Sequence, residues 1–166
     1  MATSKRDTLI VGLRNAYGLE GQALSTMENV HSRLEHYPEL KAAVGQHIEE
    51  TRRQQQMVEQ CLSRFGESPS GLKEAAMKLM GNLQAMVHAT TSDEVLKNLF
   101  GLYAFEHFEI ASYKSLLALA DPAGATSAKP ALETSLREEE QMASWIDANV
   151  QKVTLEYLAR EQRAGT

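Results

Sequence analysis

"LYAFEHFEIASYKSL", residues 102–116, places two carboxylates where a buried helix wants apolar side chains. Leu102, Glu106, Glu109, Tyr113 and Leu116 follow one another at three- and four-residue steps, the spacing that lines up one face of a helix. Either this face meets water, or the middle of the protein needs glutamate.

The rest of the chain decides between the two. Alternating strand-like patterns are nearly absent, and the four prolines, at 38, 69, 122 and 130, fall in or beside breaks. The periodicity predicts long helices over about 5–36, 38–65, 92–120 and 131–150, with a shorter one over about 72–88. Pro38 suits a first helical turn, and Thr91 and Glu94 have the spacing of a capping box at the start of the third long helix. The last amphipathic piece, "VTLEYLAREQ", extends helix to about 162 or bends away from the fourth. A chain of 166 residues with this layout is one all-α domain, residues 1–166. Short connections make the first and second long helices antiparallel neighbours, and likewise the third and fourth. The second and third are joined by a long B–C crossover that carries the short helix, which is the topology of a ferritin-like four-helix bundle.

Each long helix then repeats the anomaly. In the first, Leu13, Glu20, Met27 and Leu34 are seven residues apart; in the second, His47 and Glu50 fill the middle of the apolar stripe; in the fourth, Glu139 lies between Leu136 and Ala143. One such glutamate means little. Five of them, Glu20, Glu50, Glu106, Glu109 and Glu139, at similar heights on four helices are another matter. An unpaired buried carboxylate costs several kcal/mol, and five together exceed the roughly 5–15 kcal/mol that holds a domain folded. No lysine or arginine occupies these stripes at that level. The expectation is a positive centre.

Two divalent ions meet it, bringing the charge of five carboxylates and a neutral imidazole from about −5 to about −1. An oxygen-rich set with one nitrogen and no sulfur suits iron, with manganese as the alternative, better than zinc or copper; calcium and magnesium seldom use imidazole. The expected metal ligands are Glu20, His47, Glu50, Glu106, Glu109 and Glu139; matched to the usual di-iron carboxylate pattern, Glu50 and Glu139 would be the bridges. A weak internal repeat agrees: "AYGLEGQA" aligns with "LYAFEHFE", setting Tyr17 on Tyr103 and Glu20 on Glu106, and "QHIEET" aligns with "SLREEE", setting Glu50 on Glu139. A one-residue slip in the fourth helix would put Glu138 or Glu140 in place of Glu139. Tyr17 and Tyr103, one turn before Glu20 and Glu106, read as supports for the ligands, His107 as a surface or interface residue, and Cys61 as core filler.

In order and spacing, "LEGQ", "YPEL", "QHIEET", "FEHFEIASY" and "EEEQMASW" resemble the YciE/YciF family of bacterial ferritin-like stress proteins, and YciE more than YciF. The resemblance covers nearly the whole chain and implies a cytoplasmic, stress-associated homodimer, without a defined reaction. The usual di-iron pattern has one Glu on each of two helices and Glu-x-x-His on each of the others. Here Arg53 and Met142 stand where those histidines belong, His47 precedes Glu50 by one turn, and Glu109 is an added carboxylate.

The overall composition narrows the partners. A net charge of −5 argues against nucleic acid and anionic membranes, no apolar run is long enough to span a bilayer, and the start lacks a signal-peptide core. A lone Cys61 excludes an internal disulfide, in keeping with a cytoplasmic setting. Two functions remain in view: a di-metal protein acting on oxygen or peroxide, or a structural or partner-binding protein whose metals only hold the bundle shut. Iron storage in a cage fits less well, since the resemblance implies dimers.

Overall fold

The computed structural model describes residues 4–67 and 94–164, which form four long helices: α1 (Lys5–His31), α2 (Pro38–Ser63), α3 (Glu94–Ala120) and α4 (Lys129–Ala164). A single 3₁₀ turn, Thr126–Ala128, leads into α4. The expected short helix over 72–88 and the Thr91 cap lie outside the described residues.

Local chemistry sets the helix ends. Ser4 caps α1: its hydroxyl accepts from the Asp7 N–H at 3.0 Å, and the Asp7 carboxylate accepts from the Ser4 N–H at 3.3 Å. Pro38 opens α2, where its missing N–H is no loss. The first helix was expected to reach residue 36 but stops at His31. A residue before proline avoids helical geometry, so Tyr37 leaves the helix and the preceding residues become the reversal. Leu34 and Tyr37 still tuck inward, which is why their spacing imitates helix. At the other end α4 runs unbroken through "VTLEYLAREQ" to Ala164.

Contacts at both ends fix the topology. Gly12 near the start of α1 faces Leu116 near the end of α3, and Arg33 just past α1 pairs with Glu94 at the start of α3. Lys152 late in α4 meets Glu39 early in α2 at 2.5 Å. Thus α1 is antiparallel to α2 and α3, α4 is antiparallel to α3 and α2, and α2 and α3 run the same way. This is an all-α four-helix bundle of ferritin-like topology.

The interior is layered. One apolar cluster gathers Met27, Leu34, Val44, Leu102 and Ile146; another, towards the opposite end, gathers Leu13, Val58, Leu62, Leu116 and Leu132. Between them every helix turns polar: Glu20 on α1, His47, Thr51 and Gln54 on α2, Glu106 and Glu109 on α3, and Ser135 and Glu139 on α4, all buried. The two apolar layers supply the hydrophobic stabilisation and close the polar layer off from water.

Candidate metal centre

The polar layer collects five of the six expected ligands deep inside the bundle. Glu139 is fully buried, and Glu20, His47, Glu106 and Glu109 are no more than 2% exposed. His47 Nε2 lies 3.1 Å from Glu106 Oε2 and 3.3 Å from Glu139 Oε2. One ligand atom from each of these three residues fits within 4.8 Å of the others, close enough to share an ion. Glu50 stands apart. It is half-buried at the rim, with Oε2 3.0 Å from His47 Nδ1 and Oε1 accepting from Gln46 Nε2 at 2.8 Å.

The remaining candidates take distinct places. Tyr113 donates its hydroxyl hydrogen to Glu20 Oε1. Tyr103 turns outward, its hydroxyl 3.2 Å from Asp147 Oδ1 and its ring edge-on to an exposed His107. Tyr17 is half-buried at the bundle edge. Cys61 is buried and free among apolar neighbours. In α4 the register is plain: Glu138 accepts from Gln54 at 2.9 Å and Glu140 pairs with Lys114 at 2.9 Å, while Glu139 alone points inward.

Protonation without an ion follows from burial. It lifts Glu20 and Glu109 well above the ordinary carboxylate range, and the neighbouring carboxylates lift them further. Glu106 is pushed up to about 7 by burial, against the pull of His47. Burial alone would lower His47, but the carboxyl groups of Glu106, Glu139 and Glu50 around the ring outweigh it and hold the imidazole protonated. Glu50, with that imidazolium beside it, is held below the ordinary range.

Whether a metal suits this cluster can be judged from its unpaired atoms. Glu20 Oε2, His47 Nε2, Glu106 Oε2, Glu109 Oε1 and both Glu139 oxygens are buried without a hydrogen-bond partner. The approaches of His47 Nε2 to Glu106 and Glu139 are short but lack hydrogen-bond direction. Each orphaned group costs about 1–3 kcal/mol, more when charged. The groups acting most strongly on Glu109 are Glu20, Glu139, Glu106 and His47, with no lysine or arginine among them. Six inward donor atoms, one nitrogen and five oxygens, fit a hard or borderline cation, and such an ion would satisfy atoms the protein leaves unmet.

Residues 4–159 match the family described as a domain of unknown function, DUF892. The chain belongs to the DUF892 family. A solved structure from Xanthomonas campestris pv. campestris is 34% identical over 95% of this DUF892 chain and 98% of its own, with a TM-score of 0.79. The E. coli stress protein YciF is 24% identical over 95% and 99% of the two chains, with a TM-score of 0.69. YcfI of Rhodopseudomonas palustris is 23% identical over 87% and 93%, at 0.68. The last two likenesses are of fold. The bundle these two proteins share with this chain is the fold that the YciE/YciF resemblance implies.

Proposed function

We propose that this DUF892 protein is a cytoplasmic, stress-associated protein that holds two metal ions, iron ahead of manganese, and acts on oxygen or peroxide. The observation that carries the reading is the set of six unpaired donor atoms in one sealed layer. His47 Nε2, Glu106 and Glu139 would hold one ion. Glu20 and Glu109 would hold the other, with Glu139, both of whose oxygens are unpaired, shared between them. Bound iron or manganese would supply one-electron chemistry toward a small oxidant. The protein's own part is to release protons from His47 Nε2, Glu20, Glu106 and Glu109 as the ions enter, and to keep bulk water out with the apolar layers on either side. Closer kinship to YciE and a homodimeric state rest on the sequence resemblance and belong to the same proposal.

Metal analysis of untagged protein tests it. About two ions per chain in the wild type, falling to one on Glu106→Ala and to none on Glu139→Ala, supports the site; no metal in any of them, even after anaerobic ferrous loading, refutes it.

One observation favours a second reading, in which the ions only brace the bundle. The ligands are no more than 2% exposed, which holds a substrate away from them. Peroxide consumption by the loaded protein separates the two: turnover supports the first, and none, with metal fully bound, supports the second.

A further inference from the structure

Resting on that metal-centre reading, we propose that Glu50 is not a bridging ligand but a positioning residue, which orients His47 so that Nε2 faces the metal. Three observations lead there. Among the described residues, every buried side-chain donor atom without a partner belongs to His47, Glu20, Glu106, Glu109, Glu139, Gln22 or Gln54; none belongs to Glu50. Both Glu50 oxygens are instead engaged, Oε1 with Gln46 Nε2 and Oε2 with His47 Nδ1. And Glu50 keeps 13% side-chain exposure, whereas His47, Glu106 and Glu139 on the other side of the ring are 1–2% exposed.

The imidazole is thus held between two kinds of neighbour. Nδ1, directed at the rim, finds a carboxylate that can accept its hydrogen. Nε2, directed at the layer's centre, finds two carboxylates and no hydrogen-bond geometry. A histidine that gives its Nδ1–H to a carboxylate has a free lone pair on Nε2 once its second proton leaves, and its ring cannot rotate away. Helix geometry adds to this. Glu50 is three residues after His47, so the two are neighbours on the same surface of α2, but Glu50 is turned towards solvent while Thr51 takes the inward place. Thr51 is bonded back to the His47 carbonyl at 2.9 Å and adds no donor to the layer. The two halves of the internal repeat therefore differ in function: Glu139 faces the ions, and its counterpart Glu50 faces a ligand.

The test compares Glu50→Gln and Glu50→Ala with wild type by equilibrium dialysis of the full chain against ferrous ion without oxygen, counting iron per chain. A glutamine carbonyl still accepts from Nδ1–H, so Glu50→Gln is expected to keep two ions at near wild-type affinity. Glu50→Ala is expected to keep two ions at saturation but bind the one held by His47 roughly 10–100-fold more weakly. An ion lost from Glu50→Gln while wild type binds two overturns the positioning role and leaves the metal centre standing. A wild type that binds none overturns both. Long-range proton–nitrogen correlation on the zinc-loaded wild type gives a second, independent readout. A proton on His47 Nδ1 with Nε2 metal-bound is expected, and the opposite tautomer overturns the role.

Discussion

Tyr113 on α3 donates its hydroxyl hydrogen to Glu20 on α1, tying one carboxylate of the polar layer to the apolar cluster beside it. Burial, and then the nearby Glu20, lift the Tyr113 hydroxyl well above its ordinary value, so it remains a donor at neutral pH. Glu20 therefore has one oxygen fixed and the other, Oε2, unpaired and turned to the layer. The same division recurs at His47, with Nδ1 engaged and Nε2 unpaired. In each case one contact orients the group and leaves a donor atom inward.

Removing the tyrosine hydroxyl isolates this contact. Tyr113→Phe leaves Glu20 Oε1 buried without a donor, and the metal-free protein should lose about 1–3 kcal/mol in urea unfolding. Ion loading should recover part of that loss, because the carboxylate then gains a different partner. An unchanged unfolding midpoint would show that the hydrogen bond contributes nothing to Glu20.

Protonation gives the metal-free protein an unusual pH dependence. Glu20, Glu106 and Glu109 have folded values above the ordinary carboxylate value of 4.5, so between 4.5 and their folded values the native state binds more protons than the unfolded one. Stability then falls as pH rises, through about 7 for Glu106. His47, raised from 6.5, acts in the same sense above that pH. Glu50 opposes them on the acid side, since its lowered value means lost stability as pH falls below 4.5. Unfolding of the metal-stripped protein should show highest stability near pH 5 and a decline towards pH 8. Metal affinity should rise over the same interval, as ions and protons compete for the same atoms.

Much of this was legible in the sequence, for a reason that also limits it. Glutamates at the centre of apolar stripes are conspicuous, and helical spacing set Glu20, Glu106, Glu109 and Glu139 at one level. Glu50 was harder to place, because His47 and Glu50 differ by about 60° around the helix while His47 and Thr51 differ by about 40°. A stripe written by spacing alone admits either, and the structure turns Thr51 inward. Tyr113 looked like core material because its bond to Glu20 crosses between helices 93 residues apart in sequence. Only the antiparallel register of α1 and α3 brings them level. The early stop of α1 was hidden because Leu34 and Tyr37 fill the core from a turn.

The register of α4 is open to direct trial. Glu140→Ala removes a carboxylate that faces Lys114 at the surface and should change stability by no more than about 1 kcal/mol. Glu138→Ala also takes the acceptor of the buried Gln54 amide and should cost about 1–3 kcal/mol. Neither should alter metal content. Glu139→Ala should abolish both ions, since it takes away the residue that both positions share. Metal retained in Glu139→Ala but lost in a neighbour would shift the register by one.

Glu109 offers the sharpest trade between folding and function. It is buried, its Oε1 has no partner, and the carboxylates nearest it raise the cost of its charge. Leucine fills similar space and needs no partner. Without metal, burial keeps this carboxyl protonated, and replacing a buried polar group that lacks a partner with a well-packed apolar side chain removes its desolvation cost of about 1–3 kcal/mol. Glu109→Leu should therefore raise the unfolding midpoint of the metal-free protein and lower the iron content from two ions to one, the remaining ion held by His47, Glu106 and Glu139. If instead the variant is less stable than wild type when both are stripped of metal, the carboxyl has a folding role of its own. The polar layer would then not be a centre kept for ions at the expense of stability.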